Sequence, residues 1–251
     1  MGRICAYCGE KKKLTKEHIW PKCINKRMPE LELKFLDNKK IVTSSELVIS
    51  DVCAHCNNVK LSQLDYYLCS LFDLYFKNFI QDKKAFKFKY DYNLLLRTLL
   101  KITYNSSRTK SRENNDFEKF KNYILYGNEL REDIVVKLDL IMPAVHNEKK
   151  IYPKSTRCGT FDINFKQDNF ILRMISLNSF YFYIIISKEE NIITELAEIE
   201  LRYLIKNIPG TIIHPYKKEI NITNYSNLDT FNIHQHHILT NKKYYEKFLK
   251  K

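Results

Sequence analysis

The chain of 251 residues is 44% hydrophobic and 13% aromatic, which is typical of a folded globular protein and not of a disordered one. Its formal net charge of +13 indicates a polyanionic partner, although the amino-acid bias of AT-rich genomes explains part of that excess. No apolar run approaches the roughly 20 residues of a membrane-spanning helix, which excludes functions that depend on one.

The cysteines favour metal binding over disulfides. The N-terminus carries charges in place of the apolar run of a signal peptide, so we expect a cytoplasmic protein with no membrane association. The cytoplasm is reducing, and seven cysteines there are more often metal ligands or free thiols. We predict that three of them are ordinary buried thiols: Cys23, Cys69 and Cys158.

The other four cysteines form two Cys-x-x-Cys pairs, which match the four-thiolate set of a structural zinc site. In the first pair a tight turn precedes Gly9, whose freedom suits the left-handed conformation often needed there. Four free thiols, or one redox pair, remain the alternative, but a redox pair needs no second one. We predict one Zn²⁺ bound by Cys5, Cys8, Cys53 and Cys56.

Strand and helix patterns alternate around these pairs. Residues 14–21 predict a short strand before Pro21, with Trp20 packed under the zinc module, and residues 41–43 and 47–49 predict further strand pieces. A helix follows the second pair, capped by Ser50 or Asp51, and Asp65 on its surface is predicted to form a salt bridge. Its apolar residues recur at spacings of three and four: Leu61, Leu64, Leu68, Leu71, Phe72, Tyr75, Phe76 and Phe79.

The middle of the chain reads as a strand and two helices. Over residues 84–90 aromatic residues alternate with lysines, which fits either a base-stacking platform or a half-buried edge strand. Residues 92–104 predict a helix with Arg97 and Lys101 facing solvent. A polar, mobile loop over residues 105–116 leads to a helix that ends at Gly127.

From residue 133 the hydrophobic period changes to two. Strands over 134–142, 159–165, 170–175 and 180–187 predict an antiparallel meander, and Ser187 begins a capping-box pattern for the helix that follows. The last predicted elements are a strand over 211–214, a solvated histidine cluster (His234, His236 and His237) and a helix over 242–249.

The predicted fold class is therefore α+β. Residues 1–80 form a zinc-stapled module. Residues 81–251 form an α+β C-terminal domain, in which helices precede the antiparallel meander with a packed helix.

Glu17, His18 and Asn57 are the candidate catalytic residues of the module. A nuclease must activate water, which suits a histidine with a pKa near neutrality. It must also stabilise the leaving oxygen, which suits a hard divalent cation held by carboxylate and amide oxygens. Zinc would hold Asn57 at the helix start, across from the strand that ends in Glu17 and His18, so that all three converge on one phosphate.

These motifs carry a family resemblance. Cys-x2-Cys, Leu-Thr-Lys-Glu-His-Ile-x-Pro and Cys-x2-Cys-Asn-x2-Lys resemble the HNH endonucleases of the ββα-metal fold in their four-cysteine zinc form, over residues 3–66. The resemblance implies that His18 is the general base and that Glu17 and Asn57 bind a catalytic Mg²⁺ or Mn²⁺. It also implies that Lys60 contacts phosphate. Many members carry an asparagine that orients the histidine, whereas Val48 stands at that position here.

We expect a metal-dependent endonuclease acting on nucleic acid, with double-stranded DNA favoured by the resemblance. The alternative is a non-catalytic zinc-binding protein that docks nucleic acid, and a regulatory partner or a homodimer stays open. Residues 77–112 carry ten Lys and Arg against two Asp, so the segment adds phosphate-binding capacity independently of the motifs. The predicted nucleic-acid contacts are Lys60, Lys87, Lys89, Arg97, Lys101, Arg108, Lys110 and Arg112.

Overall fold

The structure is a computed structural model that describes residues 2–28, 34–36, 41–43, 47–109, 116–128, 130–146, 148–154, 156–161, 163, 168–189 and 194–227. It is a mixed α/β fold with antiparallel sheets and a four-cysteine cluster near the N-terminus. Several predicted features lie outside the described residues, namely Lys110, Arg112, the three histidines at 234, 236 and 237, and the helix over 242–249.

Three small antiparallel ladders lie in the described N-terminal residues, one of them between residues 34–36 and 41–43. The first cysteine pair sits between two-residue strands, and a second ladder pairs residue 14 with residue 53, with a register shift between Thr15 and Glu17. Trp20 is buried in this part, as predicted. The elements in chain order are β1 (Arg3–Ile4), β2 (Lys11–Lys12), β3 (Leu14–His18), α1 (Lys22–Arg27), β4 (Lys34–Leu36), β5 (Ile41–Thr43) and β6 (Val48–Cys53).

A long helical segment follows the second cysteine pair. A π-helical turn (Cys56–Leu61) continues into α2 (Ser62–Leu71) and a second π-helical turn (Phe72–Phe76). The predicted cap at Ser50 or Asp51 is wrong, because the ladder with β3 keeps β6 extended as far as Cys53. Most of the predicted apolar stripe is buried, as the spacing indicated: Leu61, Leu64, Leu68, Leu71, Phe72 and Phe76.

A disulfide joins α1 to α2, between Cys23 and Cys69. The prediction of two ordinary thiols is therefore wrong for this pair. Packing of the two helices brings the Cα atoms to 6.3 Å, within the range that a disulfide spans. The sequence could not indicate this, because the two cysteines belong to different elements and share no motif. Cys158 is a free, half-buried thiol.

Helix α3 (Tyr92–Ser107) lies at the centre of the fold and is longer than predicted. It begins at Asp91, whose carboxylate accepts a hydrogen bond of 2.9 Å from the backbone N–H of Leu94. The prediction that Arg97 and Lys101 face solvent is wrong, since they are only 6% and 0% exposed. Helix α3 packs against α2, the following helix and the main sheet, so it has little free surface.

Arg97 hydrogen-bonds the C-terminal end of the helix that follows α3. A 3₁₀ turn (Glu118–Phe120) leads into α4 (Lys121–Tyr126), which stops at Gly127 with φ +65°, as the sequence predicted. The Arg97 guanidinium donates hydrogen bonds of 2.9 Å to the carbonyls of Ile124 and Leu125. This buried cation thus satisfies carbonyl oxygens that the helix end leaves open.

The remaining strands are β7 (Phe86–Lys89), β8 (Ile134–Met142), β9 (Ala144–His146), β10 (Lys149–Ile151), β11 (Thr156–Thr160), β12 (Phe170–Leu177), β13 (Phe180–Ser187), β14 (Thr211–Ile212), β15 (Glu219–Ile222) and β16 (Tyr225–Asn227). The main sheet has the strand order β11-β12-β13-β8-β14, all antiparallel, and β16 runs parallel beside β8. The predicted antiparallel meander is confirmed, although the strand predicted over 159–165 is found at Thr156–Thr160. Strands β7 and β15 form a separate antiparallel pair.

Each face of the main sheet buries its own core. One face joins a continuous hydrophobic core with members from Cys5 to Ile222, so residues 1–80 and 81–251 share it. The other face packs against α5 (Glu195–Asn207). The predicted capping box at Ser187 is wrong: β13 still includes that residue, and Thr194 caps α5 instead, accepting a 3.1 Å hydrogen bond from Ala197.

The aromatic residues of β7 point to the half-buried strand and not to a stacking platform. Phe88 is 0% and Tyr90 is 6% exposed, while Lys87 and Lys89 face solvent. Buried rings cannot stack on nucleic-acid bases. No described helix is long and apolar enough to cross a membrane.

Gly127→Ala is expected to lower the free energy of unfolding by about 2 kcal/mol. Positive φ costs a non-glycine residue about 1–2 kcal/mol, and a Cβ there would lie 2.6 Å from Asn93 Oδ1 and 2.9 Å from Arg97 Cδ. Gly159→Ala is the matched control, because a Cβ at that position meets nothing within 4 Å. Urea unfolding followed by circular dichroism measures both, and equal stabilities would contradict the description of this helix end.

Candidate functional site

The structure brings all four predicted zinc ligands together. The Sγ atoms of Cys5, Cys8, Cys53 and Cys56 lie within 4.8 Å of one another, and those of Cys8 and Cys53 are 3.9 Å apart. Tetrahedral zinc with Zn–S bonds near 2.3 Å places its sulfur atoms about 3.8 Å apart. The cluster therefore fits one zinc ion. Other divalent metals that accept four thiolates fit the same geometry.

Backbone donors already favour negative sulfur in this cluster. The backbone N–H of Cys53 donates to Cys5 Sγ at 3.3 Å, and that of Cys56 donates to Cys53 Sγ at 3.5 Å. Burial opposes the charged form of Cys5, but the donors around it lower its pKa to about 7. Burial raises the pKa of Cys8 and of Cys56. A bound cation favours the thiolate form of all four.

Asn57 lies next to the cysteine cluster and is hydrogen-bonded to β3. It directly follows Cys56, and its Nδ2 donates to Thr15 Oγ1 at 3.0 Å and to the carbonyl of Lys16 at 2.9 Å. These two bonds join the helix start to β3 just before Glu17. Because the amide nitrogen makes both bonds, the carbonyl oxygen of Asn57 is the atom left for a metal ion or a substrate.

Glu17 is buried in an ion pair. The residue is 3% exposed, and its Oε1 lies 2.6 Å from Nζ of Lys101, which also pairs with the carboxylate of Asp65. Burial disfavours the charged form of Lys101, but the two carboxylates outweigh it and hold its pKa above the ordinary value. The salt bridge predicted for Asp65 is confirmed, with a buried partner.

The described residues do not form a ready site for a catalytic Mg²⁺ at Glu17. Lys101 already neutralises that carboxylate at Oε1, and the residue is only 3% exposed, so the ion pair weakens Glu17 as a metal ligand. Within the described part of the chain, only the four cysteines form a group of three or more His, Cys, Asp or Glu side chains that could hold a metal ion. Glu17 thus serves here as the partner of a buried lysine.

His18 ends β3 and is half-buried. Its backbone pairs with Val48 on β6, the position where the resemblance expects an orienting asparagine. The carbonyl oxygen of His18 instead accepts a 3.4 Å hydrogen bond from Nδ2 of Asn105, on α3. A side-chain hydrogen bond to this strand therefore comes from a helix 87 residues away in the chain.

The predicted nucleic-acid contacts divide into surface and buried groups. Lys60 is half-buried, with its ammonium 5.0 Å from the ring centre of Tyr126. Lys87 and Lys89 are exposed, although Lys87 pairs with Glu219 at 3.1 Å. The prediction is wrong for three cations that are buried and internally bonded in this conformation: Arg97, Lys101 and Arg108.

Arg108 illustrates why the sequence did not indicate that these three cations are buried: its partner comes from a distant part of the chain. Its Nε donates to Asp51 on β6 at 3.0 Å, and its guanidinium lies 3.8 Å from the ring centre of Tyr104. Asn105, one helical turn after Lys101, was missed as well. The available signal was a polar set at helical spacing in the last turns of α3 and at its C-cap, formed by Lys101, Tyr104, Asn105 and Arg108.

The chain matches no protein-family model, and searches of curated proteins and of solved structures returned no match. The family resemblance of residues 3–66 therefore depends on the motif residues alone.

Cys53→Ser is expected to reduce bound zinc from about one equivalent per chain to well below it, because it removes one of four thiolate ligands. Elemental analysis of freshly purified protein measures the metal. Cys158→Ser is the control, since this free cysteine is not part of the cluster. Zinc that is absent from the wild type, or unchanged in Cys53→Ser, would contradict the assignment.

Proposed function

We propose that the protein is an HNH-type endonuclease that hydrolyses phosphodiester bonds of nucleic acid, with double-stranded DNA as the favoured substrate. One observation carries the proposal. The four-cysteine cluster joins the end of β6 to the helix start, where Asn57 bonds to β3 next to Glu17 and His18. Antiparallel strands followed by a helix, with these residues at their junction, are the arrangement that the resemblance predicts.

In this proposal His18 takes the proton from the attacking water. Its half-buried position leaves it partly exposed to solvent, and histidine is the side chain that most often acts as a general base. The carbonyl oxygen of Asn57 and the ammonium of Lys60 lie on the adjoining helix start. Since Lys101 engages Oε1 of Glu17, that residue is the weaker candidate ligand for Mg²⁺ or Mn²⁺, and no step is assigned to it.

Surface charge supports a nucleic-acid substrate. Exposed lysines lie on the module itself as well as on β7, and the net charge of the chain is +13. Phosphate contacts of this type give affinity without sequence preference. The exposed lysines in these two regions are Lys11, Lys12, Lys13, Lys16, Lys87 and Lys89.

A second candidate function is a zinc-binding protein that docks nucleic acid without cutting it. The ion pair between Glu17 and Lys101 favours this candidate, because it engages the carboxylate next to His18 in the sequence. Val48, opposite His18, is a further departure from the family pattern.

Plasmid cleavage separates the two candidates. With Mg²⁺ or Mn²⁺, the wild type is expected to nick or linearise supercoiled DNA, and His18→Ala is expected to lose about 100-fold or more of the rate, the typical contribution of a general base. His55→Ala is the matched control, since His55 is an exposed histidine of the same module. It should retain the wild-type rate within about twofold.

A gel shift on the same DNA completes the test. An intact plasmid that all three proteins shift equally would refute the endonuclease and support the docking protein. Cleavage that survives in His18→Ala would refute the assigned base. Omission of the divalent ion shows whether hydrolysis depends on it.

A further inference from the structure

We propose that Asn105 on α3 is the positioning residue for the strand that carries Glu17 and His18. This inference rests on the proposed function, because it assigns to that site a residue from outside residues 3–66. The argument depends on four hydrogen bonds of one buried amide.

Asn105 is 0% exposed and uses both ends of its side-chain amide. Its Nδ2 lies 3.4 Å from Glu17 Oε1 and 3.4 Å from the carbonyl oxygen of His18. Its Oδ1 accepts a 2.7 Å hydrogen bond from the hydroxyl of Tyr7 and a 3.0 Å bond from Nη2 of Arg108. One side chain thus contacts β3, the turn between Cys5 and Cys8, and the Arg108 side chain.

The chemistry of the partners determines which end of the amide is which. A guanidinium only donates, so the atom facing Arg108 must be the carbonyl oxygen. Backbone carbonyls only accept, so the atom facing His18 must be the NH₂ group. All four contacts agree with a single amide orientation. Asn105 is therefore the donor to the strand and the acceptor for the elements around it.

Asn105 supplies a polar side-chain contact to the strand of His18 that Val48, opposite His18, does not offer. A valine side chain has no polar atom to donate or accept. Lys101, one turn before Asn105, neutralises Glu17, and Asn105 contacts the same carboxylate at its Oε1. Both side chains come from one face of α3. That face therefore sets the Glu17 side chain and the His18 backbone relative to the zinc cluster.

Asn105→Asp inverts the donor role. The aspartate keeps an acceptor oxygen for Tyr7 and Arg108, loses both donations to β3, and turns a second acceptor oxygen toward Glu17 and the His18 carbonyl, which repel it. Its matched control is Asn93→Asp on the same helix. Nδ2 of Asn93 donates to the carbonyl of Gly127 at 2.9 Å and its Oδ1 accepts from Arg97 at 3.4 Å, without contacting the candidate site.

The measurements on each variant of the full chain are zinc content, plasmid affinity by gel shift, cleavage rate at saturating DNA, and the ring resonance of His18. The His18 resonance is assigned by its absence in His18→Ala. For Asn105→Asp we expect one zinc, affinity within about twofold, a displaced His18 resonance and a cleavage rate about 10- to 100-fold lower. Misplacement of a reacting group by about 1 Å costs rates of this order. Asn93→Asp should match the wild type.

The positioning role is overturned if Asn105→Asp cleaves like Asn93→Asp, or if rate, affinity and zinc fall together, as they would for a purely structural residue. Wild type that does not cleave refutes the proposed function, and the resonance then decides this inference alone: a displacement specific to Asn105→Asp supports it, and none overturns it. Should Asn105→Asp fail to fold, Asn105→Ser, whose shorter side chain cannot span the same four partners, undergoes the same comparison.

Discussion

The buried ammonium of Lys101 is the constraint on which the rest of the structure depends. A charged group without exposure is tolerated only beside opposite charge, and here Glu17 and Asp65 provide it. The three residues come from α3, β3 and α2, so their pairing fixes three elements around one point. The four cysteines join the turn after β1 to the end of β6 and the helix start, and Asn57 at that helix start bonds to β3. The ion pair and the Asn57 bonds thus hold β3 at Glu17 and just before it.

The ion pairs of Lys101 also bear on the proposed function. They pair the glutamate of a nuclease-like motif with a buried lysine, and Asn105 on α3 adds a side-chain donor to the His18 carbonyl. The candidate site is therefore a composite of the cysteine module and α3. A continuous core that includes residues from Cys5 to Ile222 agrees with this, since the module does not bury its apolar surface alone.

Sequence patterns predicted what depends on local order. Cysteine spacing predicted the four-thiolate cluster, and alternating hydrophobicity predicted β8 and β13 to the residue. Long-range partners were not predictable. Whether Arg97 or Arg108 faces solvent depends on the α4 carbonyls and on Asp51, which lie 27 to 57 residues away in the chain. The spacing of a cationic side chain along a helix does not indicate whether that side chain is solvated or paired with a buried acceptor.

A double-mutant cycle on Glu17 and Lys101 tests the central claim most directly. Urea unfolding at fixed zinc should show that Lys101→Met costs about 3–5 kcal/mol, because it leaves Glu17 buried without its cation. Glu17→Gln combined with Lys101→Met should recover part of that loss, giving a coupling of about 2 kcal/mol. Losses that add within about 0.5 kcal/mol would contradict the account, since they would show that the pair does not join α3 to β3.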